Sequence, residues 1–206
     1  MARSQATTKR DGMAAARGAG RLRERILDVA SGLFYREGVR AVGVDLVVER
    51  AGVAKTSLYR HFPTKDDLIA AFLDREDADF WRHWDEVAGR HGAAPKAELD
   101  AHMAWIGARI ERPNYRGCPQ INTAAEFADA RHPARRVAAR HKSELRRRLA
   151  ALAKKLGARR PDELAQQLGF LIDGAFVSGQ VAARGQATQT LQRAANALLA
   201  GAKAEA

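Results

Sequence analysis

The stretch AGVAKTSLYRHF, residues 51–62, combines two kinds of side chain that rarely share one short segment. Leu58 and Phe62 are large and apolar, which indicates that one side of the segment is buried. The other positions after the Ala-Gly-Val turn are cationic, hydroxyl-bearing or aromatic with a polar tip. Neither a core helix nor a fully solvated helix explains this combination. The pattern predicts a short helix that is anchored on one side and faces an anionic partner on the other.

The charge of the whole chain also favours an anionic partner. Its 206 residues include 35 Lys and Arg against 24 Asp and Glu, a formal net charge of +11. Such an excess is typical of proteins that bind nucleic acid or membrane surfaces, and a basic surface kept for solubility is the competing interpretation. The excess lies mainly in residues 1–25 and 131–160. Because an apolar stripe runs through the second block, its cations are interpreted as the solvated face of a helix.

Composition restricts the class of protein further. Apolar residues make up 46% of the chain, which is typical of a folded protein. The chain has no apolar run of about 18 residues, so no membrane span is expected, and its N-terminus has no apolar leader segment. Cys118 is the only cysteine and is interpreted as a buried structural residue rather than a redox sensor. These features predict a cytoplasmic protein that starts at either Met1 or Met13.

Apolar residues recur at helical spacing along the chain and nowhere alternate as in a strand, which predicts an all-α fold. Residues 1–20 lack this period and are predicted to be a disordered basic tail. Residues 21–66 are expected to form a small three-helix domain, and residues 67–206 a larger helical body whose helix from Pro161 reaches Arg184. Helices of the body are expected to begin at prolines, which are favoured at the first helical position: Pro95, Pro119, Pro133 and Pro161.

Three short helices with a glycine-containing turn between the second and third are the pattern of a helix-turn-helix. Gly52 supplies this turn between helices predicted at residues 44–50 and 55–61. In the motif the third helix enters the major groove of DNA, and its first residues meet base edges. Lys55 and Arg60 supply cations for this contact. The sequence therefore predicts binding to double-stranded DNA.

The longer segment ERAGVAKTSLYRHFPTKDDLI, residues 49–69, resembles the N-terminal domain of TetR-family transcriptional regulators. The resemblance covers residues 21–72, and the rest of the chain is similar to the family only in the number and order of its helices. It implies a homodimeric regulator, expected to be a repressor, that a small-molecule effector releases from DNA. The predicted DNA-binding residues, with Arg21 and Arg60 added for their charge, are Arg21, Lys55, Thr56, Ser57, Tyr59, Arg60, His61 and Lys65.

Two positions depart from the family pattern at helix starts. Gly43 stands where the family usually has a hydroxyl residue that caps the second helix, and Ala54 stands where Ser or Thr commonly caps the third. An alanine in place of a good cap costs about 0.5–2 kcal/mol. Thr56 also replaces a frequent glycine. These departures bear on the affinity for DNA and on base preference rather than on the fold.

The segment LGFLIDGAFVSGQVAA, residues 168–183, is apolar on nearly every side and must be covered all round. The resemblance implies that the last two helices pair with those of a second copy, while burial within one monomer is the alternative. A two-fold dimer would place its two reading helices about one DNA turn apart, so the operator is expected to be a near-palindrome.

The resemblance also implies an effector site among the middle helices of the body. Plain core packing or a surface position is the competing interpretation for every candidate. The long helix that begins near Thr64 joins both parts of the chain and is expected to transmit the effect of the ligand. The candidate residues, which project from apolar faces, are His102, Trp105, Ile106, Arg109, Asn122, Phe127, Asp173 and Phe176.

An enzyme is not expected. The six histidines show no HxxxH or HExxH spacing, and no GxSxG, Walker or GxGxxG motif occurs. No catalytic residue, cofactor or metal ligand is therefore assigned. The competing function is a helical ligand- or protein-binding module without sequence-specific DNA binding. The missing hydroxyls at Gly43 and Ala54 are its support.

Overall fold

The computed structural model describes residues 2–181 and 185–204, with side chains described for residues 18–181 and 185–203. This part of the chain is helical and contains no strand, which confirms the all-α prediction. It divides into two compact units, Met1–Phe72 and Leu73–Ala206. The helices are α1 Ala2–Glu37, α2 Val44–Ala51, α3 Lys55–His61, α4 Lys65–His91, α5 Pro95–Ile110, α6 Pro119–Glu126, α7 Pro133–Lys155, α8 Pro161–Ser178 and α9 Ala187–Ala204.

The first helix is longer than the sequence predicted. It begins at Ala2, so residues 2–20, predicted to be a disordered tail, have helical backbone. The prediction relied on the missing apolar period, which reports burial and not intrinsic helix preference. This segment has no proline and is rich in Ala and Arg, which are the strongest helix formers.

The N-terminal unit packs α1 against α2 and α3. Its buried residues include Ile26 on α1 and Val47 on α2, both fully buried. The Phe34 and Phe72 rings lie 5.8 Å apart, centroid to centroid. Phe34 lies on α1 and Phe72 lies on α4. The first two turns of α4 therefore belong to the N-terminal unit. The division between the units therefore falls after Phe72, whereas the sequence analysis divided the chain at residue 66.

In the body, α7 packs against α8, α5 against α9, α8 against α9 and α6 against α7. Gly107 permits the close approach of α5 to α9, because a Cβ there would lie 2.5 Å from Thr188 Cα. The four prolines begin α5 to α8 as predicted. The predicted extension of α8 to Arg184 is wrong, since the helix ends at Ser178, with Gly179 as its C-cap and turn backbone through residue 181. Arg184 itself lies outside the described residues.

Candidate functional site

The turn before α3 depends on one glycine. Gly52 has φ 60° and ψ 46°, a left-handed conformation that residues with a Cβ rarely adopt. Its amide donates to Glu49 O at 3.1 Å, and the Val53 amide donates to Val48 O at 3.2 Å. These bonds satisfy the last carbonyl groups of α2 in the manner of a Schellman motif. The turn therefore fixes the direction in which α3 leaves α2.

The third helix is anchored by two residues, as predicted. Leu58 is fully buried, and Phe62, which closes the helix, is 2% exposed. The Phe62 amide donates to Leu58 O at 2.9 Å. Tyr59, on the other side of the helix, is 38% exposed. The polar positions of this helix are exposed at Lys55, Thr56, Tyr59 and Arg60 and half-buried at Ser57 and His61. The structure thus presents six of the predicted DNA-binding residues along one short helix.

Lys55 already has an anionic partner within the protein. Its Nζ lies 2.7 Å from Asp45 Oδ1, with 53% of the Lys55 side chain and 81% of the Asp45 side chain exposed. The hydrogen bond to Asp45 raises the pKa of Lys55. An exposed pair of this kind contributes little to stability because water screens it. A phosphate group can therefore compete with Asp45 for the same ammonium.

The other two predicted DNA-binding residues lie on neighbouring helices. Arg21 is exposed on α1. Lys65 opens α4, and its Nζ donates to Arg40 O at 3.3 Å. Just before it, Thr64 caps α4 as predicted, because the Asp67 amide donates to Thr64 Oγ1 at 3.1 Å and the Thr64 amide donates to Asp67 Oδ2 at 3.0 Å. This reciprocal capping box fixes the start of the helix that carries Lys65.

Two arginines of α1 support α3, and the sequence analysis had not singled them out. The Arg23 guanidinium lies over the Phe62 ring, 4.9 Å from its centroid. Arg25 Nη2 donates to Gly52 O at 3.5 Å, a long contact with the turn. The only signal in the sequence was their place in a basic helix beside the buried stripe.

Neither Gly43 nor Ala54 makes a side-chain cap bond, so the departures at these helix starts are present in the structure.

Inside the body, five helices enclose a cavity of about 10 Å³. Two predicted effector contacts, Arg109 and Phe176, line it. Arg109 Nη2 donates to Glu76 Oε2 at 3.4 Å, and burial raises the pKa of Glu76 while Arg109 opposes the rise. The residues that line this interior cavity are Glu76, Phe80, Arg109, Cys118, Pro119, Gln120, His141 and Phe176.

Three further candidates lie in the core on α5 without lining the cavity. His102 is fully buried, and its ring stacks on Trp84 with the centroids 3.7 Å apart. The Trp105 ring is 4.9 Å from that of Phe80. Ile106 is fully buried among the apolar residues of the body. All three pack within the apolar core of the body, with Trp105 partly buried.

The remaining candidates are dispersed. Asn122 Nδ2 donates to Arg116 O at 2.5 Å. Phe127 stacks on His132, with ring centroids 3.7 Å apart. Asp173 accepts a hydrogen bond from Lys142. The structure therefore does not bring the eight predicted ligand residues together. It brings two of them to one cavity, beside Gln120 and His141, which the sequence analysis did not propose.

Gln120 and His141 had weak signals in the sequence. His141 lies on the otherwise apolar stripe of α7, where an imidazole needs a polar partner. Gln120 directly follows the proline that begins α6. Each is only 2% exposed.

Burial also raises the pKa of the neighbouring Cys118 thiol, which disfavours the reactive thiolate.

The basic face of α7 is compensated by acids. Arg140 Nη2 lies 2.7 Å from Asp74 Oδ1. Arg147 and Arg148 each lie 2.6 Å from Glu144 Oε1. The hydrogen bond from Arg147, with help from Arg148, lowers the pKa of Glu144 to about 2. This face matches the interpretation of solvated, paired charge better than that of a second nucleic-acid site.

An apolar stripe on α8 is uncovered. Phe170 is 69% exposed and Val177 is 48% exposed, and Val181, in the turn that follows, is 88% exposed. A Cβ added at Gly174, between them, would meet no atom within 4 Å. An open hollow of about 500 Å³ adjoins this α8 stripe, between α5, α8 and α9. Its walls are mostly apolar, and Phe170 and Gly174 belong to both features.

The described chain lacks a clustered metal site and a membrane-crossing helix. No group of three or more His, Cys, Asp or Glu side chains within residues 18–181 and 185–203 is placed to hold a metal ion. Among the described helices, none combines the length and apolar character that a membrane crossing requires.

Comparison with known proteins decides the family. Residues 26–72 match the family described as bacterial regulatory proteins, tetR family. Residues 95–198, just over half of the chain, match the tetracyclin repressor-like C-terminal domain. This chain belongs to the TetR family. Both TetR domains are thus present, in the order that the resemblance at residues 49–69 implied.

A solved structure supports the assignment over the whole fold. SCO4454, a TetR-family transcriptional regulator from Streptomyces coelicolor, matches with a TM-score of 0.84 and 30% identity, covering 88% of this chain and 95% of that one. The HTH-type transcriptional repressor KstR of Mycobacterium tuberculosis is 33% identical over 108 residues, 52% of this chain and 48% of that protein.

The HTH-type transcriptional activator FasR of Mycolicibacterium smegmatis is 43% identical over 53 residues, 26% of this chain and 24% of that protein. The matches thus span about half or less of the length of these curated relatives. All these relatives are regulators, which agrees with the prediction that this TetR-family chain is not an enzyme.

Proposed function

We propose that this TetR-family chain is a homodimeric transcriptional regulator that reads a near-palindromic operator with α3. The observation that carries the proposal is the anchoring of α3 through Leu58 and Phe62, which leaves its polar side chains exposed. Lys55 and Arg60 supply charge for phosphates, and the hydroxyl groups of Thr56 and Ser57 suit base edges. A regulator of chromosomal DNA would act in the cytoplasm.

The α8 stripe supports a dimer through α8 and α9. Isolated soluble domains rarely leave a Phe as exposed as Phe170, at 69%, beside an exposed Val177. Gly174 lies between them with open space in front of it, so a second helix can approach closely. A two-fold axis pairs the same patch on both copies. Two copies of α3 would then meet two operator half-sites.

We further propose that a small effector binds in the body and releases the operator, so that the protein acts as a repressor. The interior cavity supports an effector site through its buried polar groups among apolar walls, and at about 10 Å³ it must enlarge to admit anything bigger than a water. The effector can shift the protein away from its DNA-binding conformation only by binding the other conformation more tightly. Helix α4, which contributes residues to both units, is the connection through which the effect would pass.

Selection from a pool of random duplex DNA tests the proposed function. We expect the full chain to recover a near-palindromic sequence. In gel-shift titrations on that sequence, Lys55→Ala and Tyr59→Phe should bind more weakly. Arg147→Ala, which removes an exposed cation from α7, is the matched control and should bind normally. The affinity should also fall steeply with salt, as the release of counterions from DNA requires.

The competing function is a ligand- or protein-binding module without sequence-specific DNA binding. The uncapped starts of α2 and α3 at Gly43 and Ala54 favour it. The same selection separates the two functions. Recovery of no common sequence, or unchanged affinity of Lys55→Ala, would favour the module and remove the assignment of α3 as the reading helix.

A further inference from the structure

Only one of the two polar side-chain atoms of Gln120 makes a hydrogen bond in the described structure. Its side-chain Nε2 donates to the Leu73 carbonyl oxygen on α4 at 3.0 Å. Its Oε1 is buried and has no hydrogen-bond partner within the described part of the chain. The bond made by Nε2 fixes the orientation of the amide, so Oε1 is a hydrogen-bond acceptor pointing elsewhere. A buried acceptor without a donor is costly, and native proteins leave few of them.

His141 likewise has one ring nitrogen with a hydrogen-bond partner and one without. Its Nδ1 lies 2.6 Å from Asp77 Oδ1 on α4. An ionised carboxylate can only accept, so the proton of this bond belongs to Nδ1. In the neutral ring Nε2 then carries a lone pair and is an acceptor. Nε2 is buried and also lacks a partner among the described residues.

Both side chains line the interior cavity, whose volume of about 10 Å³ is the size of a single water. The other walls near them are apolar and include the rings of Phe80 and Phe176. Glu76 and Arg109 line the cavity as well and are paired with each other. Two acceptors therefore meet one small space with no donor assigned to either of them.

We propose that these two acceptors, Gln120 Oε1 and His141 Nε2, are the anchor for a hydroxyl group of the effector, whose remaining body is apolar. A hydroxyl donates a hydrogen bond without carrying charge. A carboxylate, phosphate or ammonium would bring a charge into a small space that already holds the paired Glu76 and Arg109, and a carboxylate or phosphate would also face two acceptors. The apolar body would take the space next to the hydroxyl by displacing the Phe176 ring. This inference rests on the proposed effector response.

The anchor also lies where a ligand can act on α4. Gln120 and His141 are joined to that helix through Leu73 O and Asp77, by the polar atoms that do not face the cavity. A donor that binds Oε1 and Nε2 would therefore reposition two side chains that attach α4 to the body. Removal of either acceptor should therefore weaken ligand binding and operator release together.

The test enlarges the cavity by mutation and compares two aromatic ligands, one with a hydroxyl group and one with a methyl group in its place. Phe176→Ala in the full chain leaves a ring-sized space beside the two acceptors. Phenol and toluene are then titrated calorimetrically in the absence of DNA. We expect phenol to bind tighter than toluene by on the order of tenfold, the ratio that one added neutral hydrogen bond gives.

Adding Gln120→Met to Phe176→Ala should reduce this preference, because the single proton of the hydroxyl then has only His141 Nε2 as acceptor. Gln192→Met is the matched control, because the Gln192 amide likewise donates to a main-chain carbonyl, Asp100 O, at 3.2 Å, away from the cavity. The control should keep the full preference. Equal affinity of phenol and toluene, no binding of either, or a preference that Gln120→Met leaves undiminished would each overturn the proposal.

A second measurement uses the unaltered chain and does not depend on the stability of Phe176→Ala. Long-range proton–nitrogen NMR spectra of the protein with labelled histidine report which ring nitrogen of His141 is protonated. In the neutral ring the proton is expected on Nδ1, and a neutral ring with its proton on Nε2 would overturn the acceptor assignment. Because neither experiment contains DNA, a failed operator selection and a failed anchor are distinguishable.

Discussion

Acidification from pH 7 to pH 5 should lower the free energy of unfolding of the helical body, because the unfolded chain then binds a proton at His102 that the folded chain does not. This side chain is fully buried on α5, stacked on the Trp84 ring at 3.7 Å, and neither ring nitrogen has a hydrogen-bond partner in the described structure. Burial, aided by the positive charges of His91 and Arg148, lowers the pKa of His102 from 6.5 to about 4. The Glu98 carboxylate oxygen lies 3.7 Å from Nε2, too far for a hydrogen bond that would restore the charged form.

The sign and size of the effect follow from this shift. Between pH 6.5 and about 4 the unfolded chain binds a proton at His102 that the folded chain does not, so the free energy of unfolding falls as the pH falls. A difference of about 2.5 pKa units corresponds to about 3 kcal/mol once both pKa values are passed. Most of it, about 2 kcal/mol, should be lost between pH 7 and pH 5.

His102→Phe isolates this contribution. Phenylalanine keeps an aromatic ring against Trp84 and gives up no hydrogen bond, so the variant should match or exceed the wild-type stability at pH 7. Urea unfolding at fixed protein concentration gives the free energy of both proteins at pH 7 and pH 5. The wild type should lose about 2 kcal/mol more than the variant. Equal losses would refute the reasoning and indicate that Glu98 compensates the charged imidazole.

Three further changes test the operator-binding unit and the dimer. Ala54→Ser adds a cap to α3, whose Ala54 already has the extended φ of −72° and ψ of 143°, so the urea midpoint should rise by an amount equivalent to about 0.5–2 kcal/mol. Asp45→Asn removes the partner of Lys55, so operator affinity measured by fluorescence anisotropy should increase, and a decrease would contradict the competition inferred here. Phe170→Glu places charge in the α8 stripe and should shift sedimentation velocity profiles from dimer to monomer. Arg82→Glu, an exposed change on α4, should leave them unchanged.

Within the N-terminal unit, the helices and turns from residue 44 onward could be predicted from the sequence in detail because their structure depends on local signals. Gly52 at a left-handed turn, Leu58 and Phe62 at helical spacing, and Thr64 three residues before Asp67 each determine their own neighbourhood. Such features need no knowledge of distant residues. Helix starts at prolines were predictable for the same reason, since proline fixes its own backbone angle.

The interior cavity could not be predicted because it depends on contacts between distant residues. Gln120 meets Leu73, and His141 meets Asp77, across 47 and 64 residues of the chain. Helical periodicity correctly placed His141 on an inward face but gave no partner for it. The ligand candidates were predicted one helix at a time, as residues that project from apolar faces. Of these, only Arg109 and Phe176 lie where five helices meet.

Under the proposal that α3 reads DNA, the pair of Lys55 and Asp45 would let this helix, which has no side-chain N-cap, discriminate between DNA and other anions. The exposed Asp45 carboxylate lies 2.7 Å from the ammonium, so any anion must displace it. A lone phosphate that contacts Lys55 gains about as much free energy as the loss of the Asp45 contact costs, because exposed ion pairs are weak. A DNA groove offers further phosphates to Tyr59 and His61 at the same time and releases condensed counterions. Binding should therefore favour the duplex over free phosphate even though Ala54 leaves α3 uncapped.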